Sequence, residues 1–534
     1  MSDSPGVIQM DRRTFFAGAV ATMVSSAEAK PPEDAAVEHI IPTVNHERIL
    51  VKASFQKPQR GSPRLMVDRK QVEGLRTDST GYFWSFDVGG LRPDTQHGLR
   101  LVNDRGRPLS TPWKLKTFPE PGARPEHLRV LVYTCAGGND RIVDEAGQPY
   151  VLSLARRRGL LQRGLSFEPD AVIANGDHVY WDLRSLPSST RQGANPQAER
   201  DVGRFNRSMP IFGYPNEGVL LRAAGPQIAA LYGTMLRGTP SFFVTDDHDY
   251  FDNDDADDKM LTFPPDPFML TLARATRRLY YPEFLPDPYR PLGLPGSSAL
   301  DTPPGTAENY GTLRYGDLAE FLMYDCRRFQ TLAGPSAVFV AEEAEKWMKA
   351  RMAAPEVGHV VNVPSLPPGW TAGKWGEWYP DFLVDGRLTT QKPKPYWQTG
   401  WEAQHDRILA AVSQMAGRIP LMITGDLHAI GEAQILRTRS NDLRANPVIS
   451  VLAGPIGTGK LQWPTGRRGT PPRIAEHLEA VERQHPLEEN GFTVLDITRD
   501  GIVANQFKWN VEQPDAVIST LQPFRTSEMR RDRR

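Results

Sequence analysis

The pattern of apolar and polar residues divides the chain into two parts with different predicted elements. Over residues 30–120, short β-rich runs such as 49–55 and 82–88 are broken by turns of Gly, Pro and Asp. Such runs are typical of an all-β unit. We therefore predict a small all-β domain over residues 30–120, which ends at the Pro- and Gly-rich linker 119–122.

From residue 128 the pattern changes to uninterrupted apolar runs that each end abruptly in polar residues. Strands that are apolar on both faces and alternate with helices indicate an α/β layered domain, which we place at residues 121–534. In such sheets, functional residues collect at the carboxyl ends of the strands. The predicted strands are residues 128–134, 170–175, 241–245 and 421–424, and examples of the predicted helices are 341–352 and 402–415.

The four strand ends share a composition rich in metal-binding side chains. They read TCAGGND at 134–140, NGDHVY at 175–180, DDHDYFDND at 246–254 and GDLH at 425–428. A single Gly-Asp pair after a strand is usually only a turn, and the acidic stretch 252–258 alone is typical of a solvated loop. Four such ends in one domain favour a common site.

A cluster of carboxylates needs a cation, because packed carboxylates without one repel each other and take up protons. Imidazole favours transition metals, whereas carboxylate and amide oxygens also bind Ca²⁺ or Mn²⁺. Two metal ions bridged by one Asp can activate a water molecule between them. The strand ends therefore predict a two-metal hydrolytic site.

Charge and hydropathy exclude several classes of partner. The 534 residues contain 63 Lys and Arg against 64 Asp and Glu, a net charge of −1. A chain so balanced shows no electrostatic footprint for nucleic acid. No apolar stretch reaches the roughly 18 residues that a membrane-spanning helix needs, so we expect no transmembrane segment after processing.

The first 29 residues are interpreted as a targeting segment. DRRTFF at 11–16 resembles the twin-arginine export signal, a mild apolar run follows, and Ala27 and Ala29 form a small-x-small cleavage site. We expect a twin-arginine signal peptide over residues 1–29, recognition by the twin-arginine export machinery, and a periplasmic or secreted protein. The alternative is an amphipathic first helix with a chance Arg pair.

The chain contains only two cysteines, Cys135 and Cys326. In an oxidising compartment they could pair. Because Cys135 stands at the end of an apolar strand, a thiolate metal ligand is the interpretation we favour.

Two resemblances to known families refine these expectations. GLRPDTQH at 90–97 resembles the closing strands of a fibronectin type III-like or immunoglobulin-like sandwich. His97 stands where that fold usually has Tyr, which is expected to weaken the corner hydrogen bond.

From about residue 128 to 510 the chain resembles the PhoD-like alkaline phosphatases and phosphodiesterases of the metallophosphoesterase superfamily. The marks are Cys135, GDHVY at 176–180, DDHDY at 246–250 with Asn253, GDLH at 425–428, and the lesser echoes YDCRR at 324–328, WQTGWE at 397–402 and NGFTVLDI at 490–497.

The resemblance to the PhoD-like family implies a fold, a cofactor and a reaction. The fold is a four-layer α/β/β/α sandwich, here preceded by the small β-domain. The cofactors are two or more metal ions, Fe³⁺ held partly by a thiolate with Ca²⁺ beside it; Mn²⁺ or Zn²⁺ is the alternative. The reaction is hydrolysis of phosphate mono- or diesters by in-line attack of a metal-activated hydroxide on phosphorus.

The same resemblance implies roles for individual residues. Cys135 and Asp177 would hold the iron-type site, with Asp177 bridging. The neighbouring ion would be held by Asn253, Asp426 and His428. The catalytic candidates are His248 as acid or hydrogen-bond donor to the phosphate, Asp246 or Asp247 as the residue that positions it, and Arg327 as a clamp on a phosphate oxygen.

The family also uses a metal-binding tyrosine, whose position the sequence leaves open. Tyr180 is interpreted as core or pocket wall, and Tyr214 is another candidate.

Other functions remain open at the level of sequence. The substrate is a small-molecule or a lipid phosphoester, and a phospholipase D-like phosphodiesterase is the main alternative enzyme. A non-catalytic binding protein at the cell surface is the alternative from another class. Nucleophilic serine catalysis lacks support, because no Gly-x-Ser-x-Gly motif is present.

Overall fold

A computed structural model describes most of the chain. The described residues are 36–144, 146–181, 196–250, 264–294, 302–331, 334–372, 383–384, 387–388, 399–469 and 471–531. The predicted signal peptide at 1–29 and the candidate ligand Asn253 lie outside them. Among the described residues, none of the helices combines the length and the apolar character required to cross a membrane.

The N-terminal part is all-β, as its short apolar runs predict. The strands form two four-stranded antiparallel sheets, ordered β1-β2-β6-β5 and β4-β3-β7-β8. Buried and exposed residues alternate along β3 and β8, as expected for strands with one face on a core. The strands are β1 Val37–Val44, β2 Ile49–Phe55, β3 Arg64–Val67, β4 Lys70–Glu73, β5 Leu75–Arg76, β6 Phe83–Val88, β7 Gln96–Val102 and β8 Trp113–Lys116.

His97 on β7 has partners on both sides of its ring. Its Nε2 lies 3.3 Å from the carbonyl oxygen of Arg92, and its Nδ1 lies 2.6 Å from Asp68 Oδ2. The ring thus connects β7 to the chain at Asp68 and at Arg92.

The first sheet of the C-terminal part has six strands in the order β11-β10-β9-β23-β24-β25. The three strands β9, β10 and β11 are parallel, and the remaining pairs are antiparallel. On β9, Leu131 packs with Leu160 and Leu220 of the helices, while its neighbour Val132 packs toward the second sheet. The strands are β9 His127–Tyr133, β10 Ala171–Asn175, β11 Ser241–Val244, β23 Asn490–Thr498, β24 Gly501–Trp509 and β25 Arg525–Arg530.

The second sheet has seven strands in the order β12-β13-β14-β18-β20-β19-β22. On β13, Phe321 shares the hydrophobic cluster of Val132, while Leu322 packs with Met348 and Leu409 of two helices. The two sheets thus share one hydrophobic cluster, and each sheet also packs against helices. The strands are β12 Tyr310–Tyr315, β13 Ala319–Tyr324, β14 His359–Pro364, β18 Leu421–Thr424, β19 Ile430–Arg437, β20 Val448–Ala453 and β22 Glu479–Leu487, and the small pairs are β15 Trp370–Thr371 with β21 Arg473–Ile474 and β16 Leu383–Val384 with β17 Arg387–Leu388.

Helices pack against both sheets of the C-terminal part. Side-chain caps start two of the longer helices: Ser153 accepts a hydrogen bond from the N–H of Arg156, and Asp266 accepts hydrogen bonds from the N–H groups of Phe268 and Met269. The helices are α1 Leu154–Leu165, α2 Pro196–Val202, α3 Pro215–Ala224, α4 Ala229–Tyr232, α5 Asp247–Tyr250, α6 Pro267–Tyr280, α7 Glu342–Ala353, α8 Thr399–Ser413 and α9 Pro464–Arg468, with 3₁₀ turns at Gly334–Ser336, Lys460–Gln462 and Asp515–Thr520.

Buried polar contacts join the β-domain to the α/β part. Lys52 Nζ lies 3.1 Å from Glu283 Oε1, and both side chains are about 1% exposed. His39 Nε2 lies 3.0 Å from the carbonyl oxygen of Tyr280, at the end of α6. A buried ion pair is costly to separate, so these contacts oppose independent movement of the β-domain.

Candidate metal centre

The strand ends that the sequence singles out hold residues with strained backbones. Seven non-glycine residues of the described chain have a positive φ in the left-handed region, and four of them are candidate ligands. The φ angles are 48° for Cys135, 58° for Asp177, 69° for Asp426 and 51° for His428. Each such residue costs on the order of 1–2 kcal/mol. Strain of this kind concentrates at functional sites.

Three of these four residues converge on one point, and Asp426 lies in a neighbouring group with Asp246 and Asp247. Cys135 Sγ lies 3.2 Å from Asp177 Oδ2, and His428 Nε2 lies 4.0 Å from that oxygen. One ligand atom from each of the three residues falls within 4.8 Å of the other two. The Thr458 hydroxyl lies 2.9 Å from Nδ1 of His428, so the imidazole presents Nε2 to the cluster. We refer to this set as the thiol cluster.

Tyr180 belongs to the thiol cluster, contrary to its interpretation as a pocket wall. Its hydroxyl lies 3.0 Å from Asp177 Oδ2 and 3.2 Å from His428 Nε2. Tyr214, the other candidate, is 50% exposed before α3. The Asp-x-x-Tyr spacing was the sequence signal for Tyr180, because both residues follow β10 in one short turn.

His248 lies on the more open side of the cluster. Ligand atoms of Asp177, Asp247 and His248 form a second group within 4.8 Å. The imidazole of His248 packs on the Tyr180 ring with 4.2 Å between the centroids, and it is half-buried, whereas Asp177 and Asp247 are fully buried. Asp247 Oδ1 accepts a hydrogen bond of 3.0 Å from the backbone N–H of His248. Asp247 is therefore placed to fix the start of α5.

Arg327 occupies a different position from the one expected of a phosphate clamp. Its Nε lies 2.5 Å from Asp246 Oδ1, and its Nη2 lies 3.0 Å from Asp426 Oδ1 and 3.6 Å from Asp247 Oδ2. The side chain is 0% exposed. The guanidinium thus faces three carboxylates that also form a metal-type group. This placement supports the role of a buried counter-ion rather than contact with substrate.

Two glycines bring the strand ends this close. Gly176 has a φ of 85°, and an added Cβ would lie 2.7 Å from the Cβ of Asp246. A Cβ on Gly425 would lie 2.3 Å from the hydroxyl oxygen of Thr134 at the end of β9. Gly425 therefore permits β18 of the seven-stranded sheet to meet β9 of the six-stranded sheet.

Asp249 holds the backbone of two turns at the site through hydrogen bonds. Its two oxygens accept backbone N–H groups from Asp177, His178, Val179 and Asp246, at 2.8–3.2 Å. Burial raises the pKa of Asp249 to about 7, and these N–H groups oppose that rise. The carboxylate thereby ties the turn after β10 to the turn after β11.

Comparison with known proteins places this geometry in a known fold. No family model and no curated protein matches the sequence. The solved structure of PhoD superposes with a TM-score of 0.55 and 15% identity, over 94% of this chain and 90% of that chain. The chain has the fold of PhoD.

A second structure supports the same fold. Purple acid phosphatase PPD1 from yellow lupin (Lupinus luteus) seeds superposes with a TM-score of 0.52 and 12% identity, over 92% of this chain and 74% of that chain. Such low identities establish the fold alone. The resemblance to the PhoD-like family is thus confirmed for the fold: mixed α/β with several sheets.

The donor set on the PhoD fold fits a metal ion. Burial, reinforced by the charge of Asp177, raises the pKa of the Cys135 thiol well above its usual value, and the same two causes raise the pKa of the Tyr180 phenol. A cation among these groups would reverse both shifts by favouring the anions. Thiolate and imidazole are ligands that transition metals prefer. Both cysteines are buried free thiols, so Cys135 is available for this role.

His178 is not part of the donor set. Its Nε2 lies 2.8 Å from the carbonyl oxygen of Val244, and its ring packs on Phe243 and Tyr281. Burial lowers the pKa of His178 to about 3, so the ring is neutral.

Proposed function

We propose that the protein is a metal-dependent phosphoester hydrolase of the PhoD-like type. One observation carries the proposal: strained residues from β9, β10 and β18 converge with Tyr180 on a single point of a phosphatase-like fold. Backbone strain persists only where the surrounding structure imposes it. Three strained donors at one point, with the Tyr180 hydroxyl beside them, favour a selected site over a chance cluster.

The chain's own residues suggest how two metal positions would be occupied. Cys135, Asp177, Tyr180 and His428 would hold the first ion, which we propose to be Fe³⁺. The family resemblance assigned His428 to the neighbouring ion, and we move it because its Nε2 lies in one group with Cys135 and Asp177. Asp177 and Asp426, with Asn253 outside the described residues, would hold a neighbouring ion, proposed as Ca²⁺. Bound metals would supply an activated water and neutralise charge on the phosphoryl oxygens.

His248 is the residue we assign to the substrate. It is half-buried beside the thiol cluster, its ring packs on Tyr180, and its backbone N–H donates to Asp247 Oδ1 at the start of α5. From this position the imidazole can donate a hydrogen bond to a phosphoryl oxygen or a proton to the leaving oxygen. Arg327 would act without contacting substrate, by compensating the charge of Asp246 and Asp426.

The finer features of the sequence prediction belong to this proposal. We propose export by the twin-arginine pathway from residues 1–29, a fibronectin type III-like domain up to residue 120, and a four-layer α/β/β/α domain from residue 121. The two sheets that share one hydrophobic cluster, with helices packed against each of them, support the layered arrangement. The substrate class is a phosphate mono- or diester of a small molecule or a lipid.

The proposal is tested with the purified full chain and two substrates, p-nitrophenyl phosphate and bis-p-nitrophenyl phosphate. We expect near-stoichiometric bound metal, hydrolysis of at least one substrate, and loss of hydrolysis after chelation that metal restores. His248→Ala should retain metal but lose turnover by about 10²–10⁴-fold. His485→Ala is the matched control, since His485 is exposed and bonded to Glu482.

Each outcome distinguishes the parts of the proposal. A chain that binds no metal and hydrolyses neither substrate would refute it and favour the non-catalytic binding protein. Metal binding with unchanged turnover of His248→Ala would remove only the role of His248. Preference for the diester would favour the phosphodiesterase alternative.

A further inference from the structure

The two turns that carry the thiol cluster are joined by a residue that is not a metal donor. The first turn runs from Cys135 to Gly138, and the second from Asp177 to Tyr180. Cys135, Gly138 and Asp177 all have a positive φ, so these turns need support from outside. Part of that support comes from Gln227, which lies between α3 and α4.

Gln227 uses the full hydrogen-bonding capacity of its amide. Its Oε1 accepts the N–H of Gly138 at 2.5 Å and the N–H of Tyr180 at 2.8 Å. Its Nε2 donates to the carbonyl oxygen of Tyr180 at 3.1 Å and to that of Ala223 at 3.0 Å. The side chain is 2% exposed. If the amide were flipped, its NH₂ group would face the two N–H donors and its oxygen would face the two carbonyl oxygens. Only the present orientation therefore satisfies all four partners.

These contacts fix the tyrosine of the cluster through its backbone. One side chain holds both the N–H and the C=O of Tyr180, whose hydroxyl lies 3.0 Å from Asp177 Oδ2. The same oxygen of Gln227 holds Gly138, three residues after Cys135. Gln227 therefore sets the distance between the thiol side and the phenol side of the cluster.

We propose that Gln227 is a positioning residue of the metal centre, a role that rests on the function proposed above. It binds no metal itself, and it acts by holding Cys135 and Tyr180 at the separation that a shared ion requires. Residues that orient ligands in this way typically alter metal affinity by about 10–100-fold when they are removed.

The chain offers a matched control in Gln404. Its Oε1 accepts the N–H groups of Phe339 and Val340, and its Nε2 donates to the carbonyl oxygen of Val340 and to Glu345. This amide has the same pattern of two acceptor and two donor bonds, and it is 5% exposed. It lies on α8 among residues outside the candidate site.

The test is a titration of chelator-treated full chain with Co²⁺ alone, read by thiolate-to-cobalt absorption. Gln227→Met should weaken Co²⁺ binding by about 10–100-fold, while Gln404→Met should bind within about twofold of wild type. Both substitutions should lower the unfolding midpoint, because each removes four buried hydrogen bonds. Wild-type affinity in Gln227→Met would overturn the positioning role.

A second variant covers the case in which Gln227→Met does not fold. Gln227→Glu keeps the two acceptor bonds and loses the two donor bonds. A Co²⁺ affinity between that of wild type and that expected for Gln227→Met supports the positioning role. An affinity equal to that of wild type overturns it. A wild-type chain that binds no Co²⁺ overturns the metal centre and the role of Gln227 together. Wild-type binding with unaltered variants overturns the role of Gln227 alone.

Discussion

Replacement of Arg327 tests whether its guanidinium and the metal ions neutralise the same carboxylates. Its guanidinium contacts Asp246 at 2.5 Å and Asp426 at 3.0 Å, and the Arg327 side chain is fully buried. Asp426 is also a proposed metal ligand. Replacement of Arg327 by Met keeps most of the volume and removes the charge.

The expected magnitude depends on whether metal is bound. Without metal, Arg327→Met leaves buried carboxylates without their counter-ion, a change that costs about 3–5 kcal/mol. With metal bound, the charge of Asp426 is already compensated, and we expect about half that loss. A difference of about 2 kcal/mol corresponds to roughly 30-fold tighter metal binding by the variant.

The assay is urea unfolding at neutral pH, with and without chelator, together with a metal titration. Arg351→Met is the matched control, because Arg351 pairs with buried Glu320 at 2.6 Å far from the candidate site. Glu320 retains Arg314 at 2.9 Å, so this control is expected to be milder. Its loss of stability should be the same with and without metal.

Two results would refute the reasoning about Arg327. If Arg327→Met were equally destabilised in both states, the guanidinium and the metal would not share carboxylates. If the variant bound metal more weakly than wild type, Arg327 would be needed to shape the site rather than competing for its charge.

Three further substitutions test separate features. Gly425→Ala would place a Cβ 2.3 Å from the Thr134 hydroxyl, and we expect a loss of about 3 kcal/mol or more in urea unfolding. Tyr180→Phe keeps the ring but removes the hydroxyl; metal affinity should fall by about tenfold or more in the Co²⁺ titration. Asp68→Asn removes a carboxyl whose pKa is lowered chiefly by the hydrogen bond from His97. The native state therefore binds fewer protons than the unfolded state below about pH 4. The stability from this pair is present above that pH and is lost as pH falls, so the variant should show a shallower acid transition by circular dichroism.

Each of these has a control or a refuting outcome. Gly122→Ala should be nearly neutral, since an added Cβ there meets no atom within 4 Å. Tyr310→Phe removes another buried hydroxyl and should leave metal affinity unchanged. An acid transition of Asp68→Asn as steep as that of wild type would show that its pairing with His97 does not contribute to stability.

The sequence predicts the strands at the site to within a residue or two. The predicted runs 128–134 and 241–245 correspond to His127–Tyr133 and Ser241–Val244. These strands are buried on both faces, so their apolar runs are continuous and their ends are sharp. The same burial explains why the polar residues that follow them mark the candidate site.

Helix boundaries are less predictable, because tertiary contacts decide them. The stretch predicted at 402–415 is the helix Thr399–Ser413. Its first turn includes Gly400, a poor helix former. A Cβ there would lie 2.3 Å from the carbonyl oxygen of Ala337, so the helix begins early where close packing needs a glycine. Nothing in the local pattern indicates that contact.

The roles of individual side chains are harder to predict than the positions of the strands that carry them. The sequence places Tyr180 and Arg327 near the site. It assigns Tyr180 to the core or the pocket wall, and Arg327 to contact with a phosphate oxygen of the substrate. The Asp-x-x-Tyr spacing indicates that Tyr180 is near Asp177, but the contact of its hydroxyl with His428 depends on a residue 248 positions away. The role of Arg327 depends on Asp246 and Asp426, which come from strands far apart in sequence. These long-range contacts are not visible in a local motif.

The energetics of the strained turns predict that the fold does not depend on metal. Four left-handed donors cost about 4–8 kcal/mol in total at 1–2 kcal/mol each. Asp249 makes four and Gln227 makes three hydrogen bonds to the backbone of the turns around the site. At about 1 kcal/mol per bond, these seven bonds contribute about 7 kcal/mol, which is of the same size as the strain. Chelator-treated protein should therefore keep the circular dichroism spectrum and a cooperative unfolding transition. Unfolding on chelation would show instead that the metal ions themselves hold the turns in place.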